Sequence, residues 1–184
     1  MLVCGVDEAG RGPIAGPVTA AAVILPEGFP LEVLADSKVL SADERERAEI
    51  LIRELAVAWA TGWASSQEID RLNILQATLR AMARALGRLA VRPELVLVDG
   101  LFTPPTDLPC RAIVQGDATE APIMAASILA KTARDRWMCV YGRRCPQYEF
   151  GRHKGYATER HRRLVAEHGL SPIHRRSFRI SPPE

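Results

Sequence analysis

The sequence predicts an α/β protein in which a mixed β-sheet is flanked by helices. Short apolar segments alternate with longer segments whose apolar residues recur every three or four positions, which indicates strands interspersed with helices. The first two predicted strands, residues 2–6 and 18–25, are joined by a Gly- and Pro-rich loop that is too short for a parallel crossover. An antiparallel pair among strands that are otherwise connected through helices favours a mixed sheet.

A turn and a helix are predicted after the second strand. Residues 35–40, with the sequence Ala-Asp-Ser-Lys-Val-Leu, indicate the turn. Ser41 and Glu44 then form a capping box, in which the two side chains satisfy free backbone N–H groups at the start of a helix. We expect this helix to run to about Ala58 and residues 56–63 to contain another short strand.

A second capping box, formed by Ser65 and Glu68, predicts the start of a long helix. Its apolar residues alternate in steps of three and four, which is the pattern of a helix that buries one face. This stripe predicts core packing and no chemistry. Its members are Ile69, Leu72, Leu75, Leu79, Met82 and Leu86.

Two further strands and a helical end are predicted in the second half of the chain. Residues 94–98 form an apolar strand, a Pro-rich loop follows, and residues 111–114 form a short final strand. Thr119 is expected to cap the next helix, which should run to about Met138. A short basic helix is expected near residues 158–168.

The composition is that of a soluble globular protein, with 47% hydrophobic and 25% charged residues. Asp7 and Glu8 interrupt the first apolar segment too early for a secretory signal, and residues 18–25 are too few to span a bilayer. The four cysteines show neither a C-x-x-C pair nor zinc-like spacing with the histidines. We therefore expect a cytoplasmic monomer with reduced cysteines and no membrane segment.

The charge is distributed unevenly along the chain, although the net charge is only +2. Residues 131–179 contain 13 Lys and Arg against four acids, which gives a net charge of +9. Residues 1–130 have a net charge of −6, and all four histidines lie in the basic end. A solvated helix face is one interpretation of such a bias, but its size favours a polyanionic partner, with nucleic acid as the first candidate.

Carboxylates follow several of the predicted strands. Asp7 and Glu8 are adjacent, and a divalent cation would offset their repulsion and bind their oxygens. Asp99 follows the 94–98 strand, and Asp117 lies between a short strand and a helix start. Because carboxylates at strand ends can gather at one edge of a sheet, these acids predict a common site. An all-oxygen set suits Mg²⁺ or Mn²⁺ rather than zinc.

The single acids also have structural interpretations. Asp99-Gly100 by itself is typical of a turn, and Asp117 by itself could be a helix-cap acid. The pair Asp7-Glu8 beside a glycine loop is harder to explain in this way. The catalytic interpretation is favoured because three separate places in the sequence agree with one sheet edge.

The loop after Glu8 has a second possible use. Gly10 and Gly12 lack side chains, so a ligand can approach their backbone N–H and C=O groups closely. The loop is not a dinucleotide fingerprint, because the spacing differs and Pro13 and Pro17 oppose a helix start. It is not a P-loop either, because no Gly-Lys-Ser/Thr follows.

These motifs together resemble those of the ribonuclease HII family, also called type 2 ribonuclease H. Asp7-Glu8-Ala-Gly10-Arg11-Gly12-Pro13 is similar to the family motif Asp-Glu-x-Gly-Arg-Gly. Further matching motifs follow in the family's order and spacing over almost the whole chain. They are Asp36-Ser37-Lys38, Glu68-Ile-Asp70, Leu72-Asn73-Ile74-Leu75, Val98-Asp99-Gly100, Gly116-Asp117, Ala125-Ala-Ser127-Ile-Leu-Ala-Lys131, Arg134-Asp135, His153-Lys154-Gly155-Tyr156 and His174-Arg175-Arg176-Ser177-Phe178.

The resemblance implies a ribonuclease H-like fold, which is a five-stranded mixed sheet flanked by helices with a small helical C-terminal part. Residues 1–142 would form the catalytic domain, and residues 143–184 would form a short basic helical segment packed on it. The resemblance also implies a two-ion Mg²⁺ or Mn²⁺ site held by four acids. These acids are Asp7, Glu8, Asp99 and Asp117.

Residues that bind the substrate also follow from the resemblance. Gly10-Arg11-Gly12 resembles the loop whose backbone recognises the ribose 2′-hydroxyl, which distinguishes RNA from DNA. Tyr156 lies where the family has a tyrosine that stacks near the DNA nucleotide after the ribonucleotide.

The basic residues beside these motifs are expected to contact the nucleic-acid backbone. Lys154 is expected to bind a phosphate as a point charge. Lys131 either faces a phosphate or steadies an acid, and Asp135, four residues further on, is expected to be a helix-surface partner. Arg175 and Arg176 are expected to be general backbone binders rather than catalysts.

The chain departs from the family pattern in two places. Val39 stands where many members have a second lysine, so one phosphate contact is expected to be weaker. Six residues follow Phe178, fewer than in many members, so we expect no additional partner-binding tail. Neither departure involves the four acids.

The resemblance implies an endoribonuclease that hydrolyses the RNA strand of RNA–DNA hybrids, as in RNA primer removal. It should also nick duplex DNA on the 5′ side of an embedded ribonucleotide, leaving a 3′-hydroxyl and a 5′-phosphate by two-metal hydrolysis. The alternatives are a DNA-structure-specific nuclease of the same fold, a non-catalytic nucleic-acid binding module and a carboxylate-rich metal-binding protein. The glycine loop and tyrosine argue against the first, the four intact acids against the second, and the basic end against the third.

Overall fold

The computed structural model describes residues 1–34 and 40–181. The predicted turn at residues 35–40 therefore lies almost wholly outside the described residues, as do Val39 and the Asp36-Ser37-Lys38 motif. The described part of the chain contains one five-stranded sheet in the order β3-β2-β1-β4-β5. Its strands are β1 (Val3–Ala9), β2 (Val18–Ile24), β3 (Ala58–Ala64), β4 (Leu95–Asp99) and β5 (Cys110–Ile113).

The predicted mixed sheet is confirmed. Strand β2 pairs antiparallel with both β1 and β3, and the short loop between β1 and β2 agrees with this. Strand β4 pairs parallel with both β1 and β5, and residues 100–109, which connect β4 to β5, contain no helix. Strand β1 therefore lies at the centre of the sheet and runs in the same direction as β4, with Val6 opposite Val98.

The described residues contain seven α-helices. They are α1 (Ala42–Leu55), α2 (Ser66–Leu72), α3 (Ile74–Leu86), α4 (Gly116–Thr119), α5 (Ala121–Arg144), α6 (Phe150–His153) and α7 (Glu159–His168). Within residues 1–34 and 40–181, none of these helices is both long enough and apolar enough to cross a bilayer.

Both capping boxes are confirmed, but the long helix predicted after Ser65 is two helices. The break is at Asn73, whose backbone has a φ of 70°, outside the helical region. The Asn73 side chain accepts a hydrogen bond from the backbone N–H of Gln76 at 3.0 Å and so caps α3. The apolar stripe continues across the break because both helices still pack against the sheet.

Several element boundaries differ from the predictions, and α1 ends at Leu55 rather than at about Ala58. Strand β1 extends to Ala9, because its pairing with β2 continues past the apolar segment. Thr119 does not cap α5. It is the last residue of α4, and its hydroxyl donates to the carbonyl of Gln115 at 3.4 Å. Helix α5 ends at Arg144 rather than Met138, because its last turns pack against the C-terminal segment.

The sheet is buried on both faces, and β2 shows this most clearly. Val18, Ala20, Ala22 and Ile24 face the core beneath α3. Ala21 and Val23 face a second core beneath α5 and α1. Because successive side chains in a strand point to opposite faces, a strand buried on both sides is apolar throughout rather than alternating.

The C-terminal segment, residues 145–181, packs against the end of α5 and the loop between β1 and β2. Tyr148 and Phe150 are stacked, with ring centroids 5.3 Å apart, and pack with Met138 of α5. Three histidine rings lie against this cluster, and His161 and His174 are almost fully buried. Burial lowers the pKa of both His161 and His174 to about 4.

The two buried histidines predict a specific loss of stability in acid. The unfolded chain takes up their protons as the pH falls below about 6.5, whereas the folded chain resists protonation down to about pH 4. Each histidine should therefore lower the free energy of unfolding by at most about 1.4 kcal/mol per pH unit across this window. Urea denaturation at about pH 7 and about pH 5 measures the difference.

The control for this prediction separates the histidines from the buried carboxylates. His174→Gln should flatten the dependence of stability on pH, while His168→Gln, at an exposed position, should leave it unchanged. An equally steep dependence in the His174→Gln variant would contradict the prediction.

Candidate active site

The structure brings the four predicted acids to the same end of the sheet. Asp7 and Glu8 lie within β1 rather than after it, and Asp99 is the last residue of β4. The parallel register that pairs Val6 with Val98 places Asp7 and Asp99 side by side at the next step. The backbone N–H of Asp117, in α4, donates to Asp99 Oδ1 at 3.2 Å, which ties the fourth acid to the third.

Asp7 has the most perturbed environment of these acids. Its side chain is only 5% exposed, on the face of the sheet covered by α5. Burial and the nearby carboxylates of Glu8 and Asp99 raise the pKa of Asp7 well above its usual range. The Glu8 backbone N–H, at 2.7 Å from Oδ1, and the Ser127 hydroxyl on α5 donate to the carboxylate and partly offset this effect.

The Glu8 carboxylate interacts with the Asp99 carboxylate and with the Arg11 guanidinium. Burial raises its pKa, Asp99 adds to the increase, and the guanidinium of Arg11 opposes it. Arg11 Nη1 lies 3.4 Å from Glu8 Oε1, and the Arg11 side chain is half exposed. Within the described residues, the site therefore holds several carboxylates at close range, with the partly solvated guanidinium of Arg11 in contact with Glu8.

The donor set suits a hard divalent cation, because it consists of carboxylate oxygens whose mutual repulsion a cation would relieve. In residues 1–34 and 40–181, no three Asp, Glu, His or Cys side chains are grouped closely enough to hold a metal ion between them. The carboxylates of Asp7, Glu8 and Asp99 instead have protein hydrogen-bond partners. The chemistry of the set fits Mg²⁺ or Mn²⁺.

The glycine loop is held by Arg134 of α5. This residue is fully buried, and its guanidinium donates to backbone carbonyls rather than facing nucleic acid. Nε and Nη2 donate to the carbonyls of Pro17 and Ala15 at 2.9 and 3.1 Å, and Nη1 donates to the carbonyl of Lys154 at 3.0 Å. Arg134 therefore connects the loop to the chain next to Tyr156.

Arg175 is a second fully buried arginine that holds the glycine loop. Its predicted role as a nucleic-acid backbone binder is wrong. Its guanidinium donates to the carbonyls of Gly10, Arg11, Gly16 and Pro17 at distances between 2.5 and 3.2 Å. A side chain committed to four carbonyls in the interior cannot reach a phosphate. The neighbouring Arg176 is exposed, as a residue that binds a nucleic-acid backbone must be.

Gly10 and Gly12 are glycines for different reasons. Gly10 has a φ of +93°, and a Cβ there would lie 2.0 Å from Arg134 Nε. At Gly12 a Cβ would meet no atom within 4 Å. The fold therefore requires glycine at position 10, whereas at position 12 it leaves space that a ligand can enter.

A cleft of about 360 Å³ lies beside Glu8 and Gly10 and contains the predicted Tyr156 and Lys131. The Tyr156 side chain is 42% exposed, and the Lys131 ammonium lies 5.6 Å from the centre of its ring. Lys131 Nζ also pairs with Asp135 at 2.9 Å, as expected for residues four apart on a helix. The structure thus places the predicted aromatic residue in the same cleft as Glu8, one of the predicted acids.

Lys154 lies elsewhere. Its ammonium donates to the carbonyl of Gly151, and its side chain lines a neighbouring cleft with Asp135 and Arg136. Only its backbone carbonyl, bound by Arg134, takes part in holding the site together.

Two residues of the cleft were missed by the sequence reasoning. The Ser127 hydroxyl hydrogen-bonds to Asp7. The sequence feature that could have indicated this is the single hydroxyl residue within the apolar segment Ala-Ala-Ser-Ile-Leu-Ala. Arg45 of α1 lines the cleft opposite Glu8. Nothing in its charged surroundings in the sequence distinguishes Arg45 from its neighbours.

The sheet order β3-β2-β1-β4-β5, with acids at the ends of two adjacent parallel strands, defines a ribonuclease H-like protein. The model of the family described as Ribonuclease HII matches residues 4–181. The chain belongs to the ribonuclease HII family, and it is therefore an endoribonuclease that acts on RNA–DNA hybrids.

Similar proteins agree with this placement. The ribonuclease HII of Laribacter hongkongensis is 58% identical over 178 residues, covering 96% of this chain and 90% of the relative. The ribonuclease HII of Nitrosospira multiformis is 56% identical, covering 96% of this chain and 88% of the relative. The crystal structure of ribonuclease H2 from Pyrococcus horikoshii matches with a TM-score of 0.83 and 26% identity, covering 98% of this chain and 95% of the other.

The two glycines predict a matched pair of stability results. Gly10→Ala should lower the free energy of unfolding by at least about 2 kcal/mol, because it combines an unfavourable backbone conformation with a clash against Arg134. Gly12→Ala should change it by less than about 0.5 kcal/mol, because its Cβ projects into open space. Urea denaturation of both variants checks the difference, and equal destabilisation would contradict it.

Proposed function

We propose that this endoribonuclease nicks duplex DNA on the 5′ side of an embedded ribonucleotide, in addition to hydrolysing the RNA strand of hybrids. The products would be a 3′-hydroxyl and a 5′-phosphate. The observation that carries the proposal is the proximity of the acids to the open backbone at Gly12, at the end of β1. Cleavage and recognition of the 2′-hydroxyl can then occur on one short stretch of chain.

The four carboxylates would hold two Mg²⁺ or Mn²⁺ ions. Support comes from their all-oxygen chemistry and from Bst-RNase HIII, a protein of the same fold at 17% identity that was solved in complex with Mn²⁺. Divalent ions at such a site supply an activated water and neutralise the departing 3′-oxygen. Asp7, Glu8, Asp99 and Asp117 would be the residues that hold these ions.

The chain's own groups would prepare the site for this chemistry. To act as ligands, Asp7 and Asp99 would turn oxygens away from the backbone N–H groups they now accept from. The Ser127 hydroxyl would keep the Asp7 carboxylate oriented during this change. Arg11 would neutralise charge near Glu8 or move to a substrate phosphate.

Recognition of the ribonucleotide would use the backbone of Gly10-Arg11-Gly12. The loop is suited to this because Arg175 fixes the carbonyls of Gly10 and Arg11 before the substrate arrives, while Arg134 fixes Ala15 and Pro17 further along the chain. Tyr156 would stack near the DNA nucleotide that follows the ribonucleotide, and Lys131 beside it would contact a phosphate. Lys154 would contribute to phosphate binding only after releasing the Gly151 carbonyl.

We further propose that the protein works as a monomer in the cytoplasm. The four cysteines, all within the described residues, form no disulfide, which suits a reducing compartment. Sedimentation velocity of the protein alone and with a ribonucleotide-containing duplex would test the monomer.

The role of Asp7 predicts a separation of catalysis from binding. Asp7→Asn should lower kcat by at least about a thousandfold, roughly 4 kcal/mol of transition-state stabilisation, because the amide is a poor metal ligand. Affinity for an uncleaved hybrid, measured by fluorescence anisotropy, should change by less than about threefold. Asp107→Asn, at an exposed acid paired with Arg92, is the control and should be fully active. Full activity of Asp7→Asn would contradict the assignment.

The open side of Gly12 predicts a selective defect. Gly12→Ala should reduce kcat/KM on a duplex with one ribonucleotide by about tenfold or more, because the methyl group occupies the space needed by the ribose. Gly87→Ala, where a Cβ makes only ordinary contacts, is the matched control.

A pair of duplexes with and without one 2′-hydroxyl, assayed with Mg²⁺ and Mn²⁺ in parallel, tests the proposed function itself. The nick should map to the 5′ side of the ribonucleotide only. Equal cleavage of the all-DNA duplex would instead support a DNA-structure-specific nuclease.

A further inference from the structure

Three histidines, two of them buried and one half-buried, have no part in the chemistry described above, although they lie next to it. His153, His161 and His174 pack together behind the turn that carries Tyr156. His161 and His174 are 0% and 2% exposed, so their ring nitrogens need protein partners. Each ring nitrogen of the three histidines has a hydrogen-bond partner in the structure.

These partners determine which nitrogen of each ring carries the proton. The Ser171 backbone N–H donates to His174 Nδ1 at 2.8 Å, so this nitrogen is an acceptor and Nε2 is protonated. His174 Nε2 lies 3.0 Å from His161 Nε2, which must then accept. His161 Nδ1 is therefore the protonated nitrogen, and it donates to the carbonyl of Tyr156 at 2.9 Å.

His153 supports the same turn from the other side. Its Nδ1 accepts from the Gly155 N–H at 3.1 Å, and its Nε2 then donates to the carbonyl of Tyr148 at 2.7 Å. Its ring stacks on that of His161, with centroids 4.0 Å apart. The backbone on both sides of the Tyr156 Cα is thus fixed by histidine hydrogen bonds, while the Tyr156 ring itself is 42% exposed.

We propose that Ser171, His174 and His161 form a directional hydrogen-bond relay that positions Tyr156 against the substrate strand, in which Ser171 and His174 act by fixing the tautomer of His161, a step that the fixed N–H donor of an amide does not need. The inference rests on the proposed function, which places Tyr156 next to the nucleotide. The exposed ring contacts the cations of Lys131 and Arg134, at 5.6 and 5.9 Å from its centre, and its direction also depends on the backbone to which His161 is bonded. His161 and His174 are positioning residues, because neither reaches the cleft.

The charge state of the histidines supports the relay. Burial lowers the pKa of all three rings, so they are neutral at neutral pH. A neutral imidazole has one donor and one acceptor, which is what each step of the relay needs. The relay joins Ser171 to Tyr156 within the C-terminal segment.

Two substitutions at His161 separate its two hydrogen bonds. The amide nitrogen of Asn lies near the place of Nδ1, so His161→Asn keeps a donor for the Tyr156 carbonyl and loses the contact with His174. The longer Gln places its amide near Nε2, so His161→Gln keeps the contact with His174 and loses the donor to Tyr156. Both remove the stacked ring, so both should lower Tm by a similar amount.

The expected activities differ between these matched variants. On a duplex with one ribonucleotide, His161→Asn should stay within about threefold of wild type in kcat/KM, and His161→Gln should lose about tenfold. In a Tyr156→Ala background, His161→Gln should have almost no further effect, because its action passes through the tyrosine. Equal activity of the two single variants, or an additive effect in the double variant, would overturn the relay.

The same set distinguishes the relay from the proposed function. If Tyr156→Ala alone cleaves normally, then the proposed role of the tyrosine and the relay both fail. If Tyr156→Ala is impaired but His161→Gln acts additively with it, then only the relay fails.

Nitrogen-15 NMR of the histidines in the wild-type protein gives a readout that does not depend on activity or on variant folding. The relay requires a proton on Nδ1 of His161 and on Nε2 of His174 at neutral pH. Protonation of His161 on Nε2 would overturn the relay directly.

Discussion

Two buried guanidinium groups hold the site together. Burying a charge is costly unless polar groups surround it, and here the hydrogen bonds of Arg134 and Arg175 go to backbone carbonyls. Those carbonyls belong mainly to the loop between β1 and β2, which has few regular backbone partners of its own. The two arginines therefore link the loop, α5 and the C-terminal segment to one another. Loss of either arginine would leave several buried carbonyls unpaired.

The hydrogen bonds of these two arginines explain how a tight glycine loop can stay beside carboxylates that repel one another. The sheet fixes Asp7 and Asp99 through the register of β1 and β4, and the buried position keeps the charge of Asp7 unfavourable. The arginines fix the loop independently of that register. A rigid loop next to a strained set of acids is suited to binding cations and a ribose at the same place.

The basic C-terminal end has a more varied role than its net charge indicates. Arg134 and Arg175 are structural, and Arg136 and Arg160 pair with Glu49 and Glu149 at 2.6 and 2.5 Å. Fewer cations are therefore free for a phosphate backbone than the sequence count indicates. What the segment adds is a scaffold, in which histidines and aromatic rings support the chain next to the cleft.

Local patterns in the sequence determined the features that depend on neighbouring residues. Both capping boxes were predicted because Ser41 with Glu44 and Ser65 with Glu68 interact within one helical turn. The acids and the glycine loop were found because their types are unusual side by side. The break at Asn73 was missed, because the apolar period continues across it.

Only the tertiary structure decided the roles of the basic residues. Arg175 and Lys154 were both predicted to contact the nucleic-acid backbone, yet one is buried and the other folds back on Gly151. The bonds from Arg175 join residues 158 to 165 positions apart in the chain, so no local pattern carries them. The sequence shows that a residue is cationic. Whether its side chain lies at the surface or in the interior is decided only when distant segments of the chain pack against each other.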